Sequence, residues 1–412
     1  MPQDDGYMFT AFETSGDNIA AAIITELRKR EPDVPIWAFG GPAMEAAGAT
    51  LVEQTTEHAV MLGGGILSEI KSHSQRLKRF KNWLCNHRIR ALVPVDSPAA
   101  NWPYCKAVRK QVPNAKIVHL VAPQLWAWAE WRIRKLRRLT DHVLCVLPFE
   151  PDWFASRGVE GSFVGHPLLS QSQNNSEHTL ADSEIKTDAD WPTGSPRLAL
   201  LPGSRDSENF NNWAPMYETF QRLSRAHPGL CAIVAASDEQ AARRIIAMKP
   251  GEKQKQKKVI DSNSAIKKPD HWPSNLHIKV SDSRNILEWC DVALVVSGTA
   301  SLQAVGHHKP TSVIYRIPRR TWFIGNMLVN IRTFSLPNII SETSGAGRVI
   351  DEFIPQFGDV APVVESLELL ISDEVARQKQ IDALKKLFAP FRNIQFAQVA
   401  TDRLLQVVAG DL

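Results

Sequence analysis

Four short stretches of this 412-residue chain place reactive or anion-seeking side chains where an apolar run stops. In "LALLPGSRDSEN", Leu198 to Asn209, and in "VVSGTASLQAV", Val295 to Val305, the pattern reads as a buried strand, a tight turn and a helix start. The first N–H groups of such a helix have no intrahelical partner and favour negative charge. Gly203, Ser204 and Arg205 therefore form one anion-friendly junction, and Ser297, Gly298 and Thr299 a second. Arg205 adds a forked, charge-assisted grip suited to phosphate oxygens, although the Gly-Lys-Ser/Thr of a P-loop is missing. Nearer the start, "ETSGD" carries Glu13 beside a turn allowed by Ser15-Gly16, with Asp17 able to cap the helix that follows. In "VPVDSPAANW", Asp96 stands just after an apolar strand. A carboxylate near low dielectric is costly to leave idle, and two uses stay open: a helix cap or a general base. "GGPAMEAAG", Gly40 to Gly48, is a further glycine-bearing strand exit for which a plain turn and ligand contact weigh equally.

Two stretches suggest surfaces. "ILSEIKSHSQRLKRFKNWL" sets Ile66, Ile70, Leu77, Phe80 and Leu84 near one helical stripe with Lys and Arg alongside. It reads either as a helix covering a sheet or as an amphipathic element resting on anionic lipid. The second reading is favoured, with Met61 of the preceding "VMLGGGI" widening an apolar entrance. "APQLWAWAEWRIRKLRRLTD" has Trp126, Trp128 and Trp131, then five basic residues from Arg132 to Arg138. A solvated face or an anionic-lipid contact is preferred there, because one such stretch without an RNA- or DNA-binding motif argues weakly for nucleic acid.

Elements to position these groups are legible along the chain. Short apolar runs ("YMFTAF", "PIWAFG", "ALVPV", "KIVHLV", "HVLCVL" and "SFVG", then "RLALL", "CAIVAAS", "LHIKV", "VALVVS" and "TSVIYR") alternate with helical patterns. Such alternation predicts an α/β protein with parallel sheets covered by helices. At 412 residues, two domains are expected: residues 1–170, a polar linker over 171–195, and residues 196–384. Residues 249–272 read as a basic surface insertion. After Asp373 the pattern is helical, and Leu404, Leu405, Val407 and Val408 could dock the last helix on a neighbouring domain. Apolar residues at 43% and charged residues at 22% exclude a disordered chain, and a net charge of +4 gives no general drive towards nucleic acid. The five cysteines are dispersed without metal spacing, which suits a reducing compartment. Neither a signal peptide nor a transmembrane segment is predicted.

Taken together, "ETSGD", "GGPAMEAAG", "VDSPAANW", "HLVAPQLWAW", "VLCVLPFEPDWFASRGVEGSFVGHPL", "LALLPGSRDSE", "VVSGTASL" and "FSLPNII" resemble, in order, the motifs of lipid-A-disaccharide synthases, from Glu13 to Asn338. The resemblance implies a glycosyltransferase of the B fold: two Rossmann-like domains with a cleft between them, the N-terminal one completed by helices over 385–412. It implies transfer, with inversion, from UDP-2,3-diacylglucosamine to 2,3-diacylglucosamine 1-phosphate, giving lipid A disaccharide 1-phosphate and UDP. Asp96 matches the family's base and Glu13 an acid beside it. Gly203, Ser204, Arg205, Ser297, Gly298, Thr299, Gln303 and Asn338 would bind UDP and its diphosphate. Ser15, Met61, Ile66 and Trp126 would meet the acceptor or lipid. No cofactor, metal or nucleic acid is implied. A cytoplasmic enzyme resting on the inner-membrane surface is implied, and the resemblance leaves a homodimer open. Ala99 and Ala100 replace an acid and an aromatic of the family pattern, Gln303 replaces a glutamate and Phe12 a glycine. These differences keep two alternatives: a B-fold transferase with another sugar nucleotide or acceptor, and a non-catalytic lipid-binding relative.

Overall fold

The computed structural model describes residues 5–56, 66–169, 191–248, 272–280, 283–319, 322–323 and 331–412, with side chains in the third helix described from residue 71. The expected linker and the basic insertion, apart from the last residues of each, and Met61 lie outside the described residues. The chain forms two compact units, Met1–Ser170 with Asn393–Leu412, and Gln171–Arg392.

The first unit is built on a seven-stranded, wholly parallel sheet: β1 (Gly6–Thr10), β2 (Ile36–Gly40), β3 (Thr50–Gln54), β4 (Ile89–Pro94), β5 (Lys116–Leu120), β6 (His142–Cys145) and β7 (Gly161–Phe163). They lie in the order β3-β2-β1-β4-β5-β6-β7. Every residue of β1 is buried, as a central parallel strand requires. Helices α1 (Thr14–Arg30), α2 (Pro42–Ala46), α3 (Ile66–Leu84), α4 (Pro98–Gln111), α5 (Ile133–Leu139) and α6 (Glu150–Ala155) cover it. The second unit repeats the plan with six parallel strands in the order β10-β9-β8-β11-β12-β13. These are β8 (Arg197–Leu201), β9 (Cys231–Ala236), β10 (Leu276–Val280), β11 (Val292–Val296), β12 (Thr311–Ile314) and β13 (Asp351–Phe353). Its helices are α7 (Asp206–Ala226), α8 (Glu239–Ala247), α9 (Ser283–Trp289), α10 (Thr299–Gly306), α11 (Leu336–Thr343), α12 (Ala361–Ser372) and α13 (Glu374–Phe388).

In both sheets the chain starts in the middle, runs to one edge, then returns to the middle and runs to the other. The reversal falls between β1 and β4 and again between β8 and β11. Beyond the carboxyl ends of such strand pairs, successive crossovers turn opposite ways and leave a crevice.

The last helix, α14 (Phe396–Ala409), belongs to the first unit. Leu404 and Val407 are buried there, Leu405 and Val408 only half so, and Arg30 of α1 pairs with Asp402. The chain's return is shorter than the expected 385–412. Helix α13 stays with the second unit, where Gln380 takes the Thr311 N–H at 2.6 Å and Phe388 packs edge-on against His308.

Asp17 overturns the simplest reading of "ETSGD". It does not cap α1; it lies within that helix, buried, and accepts the N–H groups of Gly41, Ala43 and Met44 at 3.0, 3.0 and 3.1 Å. One carboxylate thus satisfies the start of α2. Gly41 is glycine for the same reason, since a Cβ there would stand 2.4 Å from the Asp17 carboxylate and 2.2 Å from Thr56 Oγ1. Replacing Asp17 by Ala leaves these donors unpaired. It should lower the unfolding free energy by about 2–4 kcal/mol in urea titrations; a change under about 0.5 kcal/mol, ordinary for a surface position, would contradict this role.

Candidate active site

The first crevice gathers the two predicted carboxylate motifs. Thr10 at the end of β1 pairs with Pro94 at the end of β4, so Glu13 and Asp96 leave the sheet side by side. Asp96 and Ser97 both adopt left-handed backbone, φ +47° and +31°, a conformation that costs a non-glycine residue roughly 1–2 kcal/mol. The surroundings hold them in it. The Asp96 N–H donates to Leu120 O at 2.9 Å. The fully buried Asn101 donates through Nδ2 to the carbonyls of Val95 (2.8 Å) and Asp96 (2.9 Å), and its Oδ1 accepts from Thr10 Oγ1 at 2.7 Å. Ser97 Oγ donates to Glu13 Oε1 at 2.8 Å, tying one acid to the turn that carries the other. Burial pushes the neighbouring His119 imidazole down to about 4, against a smaller upward pull from the Asp96 backbone. His119 is therefore neutral near pH 7 and supplies no cation to the aspartate. Ser15 is exposed on the first turn of α1.

Trp126, expected to touch acceptor or lipid, is instead a packing residue. It is 8% exposed, lies edge-on to Phe149, and donates its indole N–H to Glu150 Oε1 at 3.1 Å. Glu150 also takes the N–H groups of Val146 and Leu147, and so ties the "APQLWAW" loop to the "LPFE" turn. Burial raises its carboxyl to about 7, with those three donors opposing.

The favoured interfacial reading of α3 also fails over its described part. Phe80 and Leu84 are buried in the unit's core, with Leu77 and Trp83 packed against it, and the single Glu53 carboxylate pairs with both Arg76 and Arg79. The apolar stripe from Leu77 onward faces the sheet. Ile66 opens the helix, and its side chain lies outside the described residues.

In the second unit, Val295 of β11 pairs with Leu201 of β8, which brings the two glycine-bearing junctions to neighbouring strand ends. They differ in what they already hold. At "PGSR" the Glu208 carboxylate reaches back to the N–H groups of Ser204 (3.1 Å) and Arg205 (3.3 Å). Gly203, at φ +104°, leaves it room, for a Cβ would lie 2.4 Å from Glu208 Oε2. The backbone donors expected to hold a diphosphate are thus occupied from within, and the Arg205 side chain, 73% exposed, remains projecting. Among the described residues the other junction has no such plug. Helix α10 starts at Gly298, φ +123°, without a side-chain cap. Ser297 Oγ turns aside to donate to Phe334 O at 2.9 Å, and Gln303 Oε1 accepts from Ser283 at 2.9 Å.

Asn338 does not face a ligand. It is fully buried: its Oδ1 accepts from the N–H groups of Val349 (2.9 Å) and Ile350 (3.0 Å), and its Nδ2 donates to Ile350 O (2.7 Å) and Glu352 (3.0 Å). That exhausts an amide's capacity. Asn338 and Glu352, which also takes the Phe334 and Ser335 N–H groups, instead fix the segment that receives Ser297.

Sequence reasoning passed over Asn101, Glu208, Glu150 and Glu352. Only Glu208 left a local signal, an acid at the third helical position after a turn.

A family model described as Lipid-A-disaccharide synthetase matches residues 7–403. The chain belongs to this family. Its relatives include the lipid-A-disaccharide synthase of Gluconobacter oxydans (strain 621H), 30% identical over 390 residues, 92% of this chain and 86% of that one. That of Pseudomonas aeruginosa (strain LESB58) is 28% identical over 401 residues, 97% of each. Among solved structures, the UDP-GlcNAc 2-epimerase from Neisseria meningitidis bound to UDP-GlcNAc aligns with a TM-score of 0.63 at 13% identity, covering 98% of this chain and 100% of its own. The calicheamicin glycosyltransferase CalG4 aligns with 0.56 at 14% identity, covering 99% of each. The molecule is thus a glycosyltransferase of the lipid A pathway built from two Rossmann-like units, a fold it shares with B-fold glycosyltransferases and epimerases.

Two outcomes follow for this family member. Asn338→Ala should lower thermal stability measurably, because it orphans the buried Ile350 N–H and the half-buried Val349 N–H; unchanged stability with lost UDP binding would restore a direct ligand role. Glu150 binds more protons folded than unfolded between about pH 4.5 and about pH 7, so it makes stability fall as pH rises through that window, by on the order of 3 kcal/mol in all. Glu150→Gln should flatten that slope in urea unfolding followed against pH; an unchanged slope would contradict the assignment.

Proposed function

We propose that the protein joins UDP-2,3-diacylglucosamine to 2,3-diacylglucosamine 1-phosphate with inversion, releasing UDP and lipid A disaccharide 1-phosphate. One observation carries the reading: in a chain of this family, Glu13 and the strained Asp96 turn meet through Ser97 at 2.8 Å, beside the first sheet's strand reversal.

The first unit binds the acceptor. Asp96 takes the proton from its 6-hydroxyl as that oxygen attacks the donor's anomeric carbon from the face opposite UDP. The bond from the anomeric carbon to the diphosphate oxygen breaks as the new one forms, and its electron pair leaves with UDP. Holding the carboxylate in a prearranged backbone spares its reorganisation during the reaction. Glu13 fixes Ser97 and with it the approach to Asp96.

The second unit binds the donor. The diphosphate meets the uncapped N-terminus of α10 at Gly298 and Thr299, where N–H groups and the helix dipole favour negative charge. Arg205 swings its projecting guanidinium onto the phosphate oxygens, balancing charge that grows as UDP departs. Gln303 presents an amide towards the nucleotide side of the same helix. The UDP-GlcNAc bound to the Neisseria meningitidis epimerase accords with a UDP-sugar site in this fold.

Both substrates carry acyl chains, so the enzyme works at the cytoplasmic face of the inner membrane as a peripheral protein. No described helix is long and apolar enough to cross a membrane.

Asp96→Asn should cut disaccharide formation from the two acylated substrates by roughly 10²–10⁴-fold. UDP affinity, measured by calorimetry, should change less than about threefold. Turnover at the original rate would remove Asp96 from the role of base.

A further inference from the structure

The apolar stripe of α3 is committed to the core from Leu77 onward, and the segment after β5 presents a different, exposed face. Trp131 is 77% exposed and Trp128 48%, although both indoles belong to a unit whose other large aromatic groups are mostly covered. Single exposed apolar residues are ordinary; two indoles three residues apart, flanked by cations, are not a scattered exposure. Arg132 lies over the rings of Trp102 (4.4 Å) and Trp128 (5.2 Å), and Lys135 over Trp102 (4.7 Å), which steadies the segment. Helix α5 then turns Leu136 and Leu139 inward and exposes Arg134, Arg137 and Arg138. None of these three arginines pairs with a carboxylate among the described residues.

We infer that Trp128, Trp131 and the arginine face of α5 form the surface by which the protein rests on an anionic bilayer. The proposal deepens the peripheral reading above and rests on it. Indoles settle at the headgroup level, with the ring in the acyl boundary and the N–H in water. Arginines beside them gain from the negative surface potential of a leaflet rich in anionic lipid, and α5 presents cations only on its exposed side. Position supports the assignment as well. The segment leaves the carboxyl end of β5, the strand whose Leu120 carbonyl receives the Asp96 N–H. An acylated acceptor lifted from the bilayer there would need to travel little to reach the base. A nucleic acid would also answer to arginine and tryptophan, but the chain's net charge of +4 and the confinement of the patch to one helix and one turn favour a planar headgroup surface over a polyanion needing a continuous groove.

The test uses full-length protein with phosphatidylcholine vesicles, with and without phosphatidylglycerol, at low and at physiological salt. Wild type should sediment with the phosphatidylglycerol vesicles and less so at higher salt, and vesicles of brominated lipid should quench part of its tryptophan emission. Trp128→Ser with Trp131→Ser should abolish that quenching. Arg134→Glu with Arg138→Glu should weaken vesicle binding roughly thirtyfold. Both pairs should retain turnover of detergent-dispersed substrates, which verifies that they fold. If wild type does not bind anionic vesicles at all, the peripheral reading falls and this proposal with it. If wild type binds and both variants bind as well, only this surface assignment is overturned. A wild type that prefers single-stranded RNA to vesicles in direct competition, with the preference lost in the arginine variant, would assign the patch to nucleic acid and also overturn it.

Discussion

The strand reversal in each parallel sheet is the constraint on which the remaining structure depends. A strand order that starts centrally and runs outward in both directions forces adjacent crossovers apart, and the gap opens at the carboxyl ends of β1 and β4 and of β8 and β11. Chemistry-bearing turns stand at these four ends: Glu13, Asp96, the "PGSR" turn and the "SGT" turn. The sheets fix strand ends to within a hydrogen-bond register, so loops that would otherwise wander start from rigid points. Polar side chains then finish the alignment. Asn101 holds the Asp96 turn, Asp17 the start of α2, Glu208 the "PGSR" turn, and Asn338 with Glu352 the segment that meets Ser297. Asn101, Asp17 and Asn338 are buried, where an unsatisfied partner would be expensive, which makes those parts of the alignment stiff.

Division of labour among these polar groups explains why similar-looking motifs do different work. The two glycine-bearing junctions of the second unit look alike in sequence, yet one is plugged by its own glutamate and the other starts a helix with no side-chain cap. An anion arriving at the first must compete with a tethered carboxylate. At the second, no described side chain stands as such a rival, and at the first the Arg205 side chain stays exposed. The departure at Gln303 lies on the second junction's helix, where its carbonyl oxygen is engaged by Ser283. The replacements at Ala99 and Ala100 fall in the first turn of α4, outside the bonds that hold Asp96, so the aspartate's geometry survives them.

The fold was legible because parallel strands buried on both faces must be continuous apolar runs. "YMFTAF" and "VALVVS" could hardly be anything else. The strands passed over, Thr50–Gln54 and Asp351–Phe353, sit at sheet edges, where their residues are exposed or only half-buried and the apolar run disappears. Site residues divided along another line. The strand-end positions of Glu13, Asp96 and Gly298 were legible because local spacing puts them there. Asp17, Asn338 and Trp126 were assigned the wrong partners because their hydrogen bonds go to residues 24, 12 and 24 positions away in the chain, which no local pattern encodes. Tail assignment failed for a similar reason: α13 and α14 carry comparable apolar stripes, and only tertiary contacts such as Gln380 with Thr311 decide which unit each helix joins.

The account's central claim is that the departing diphosphate is received at the open junction and not at the plugged one. A crystal structure of the protein soaked with UDP measures this directly. The account predicts diphosphate density against the Gly298 and Thr299 N–H groups, the Arg205 guanidinium turned onto it, and Glu208 still seated on Ser204. Density lodged instead on the Ser204 and Arg205 N–H groups with Glu208 displaced, or distant from Gly298 altogether, would contradict it.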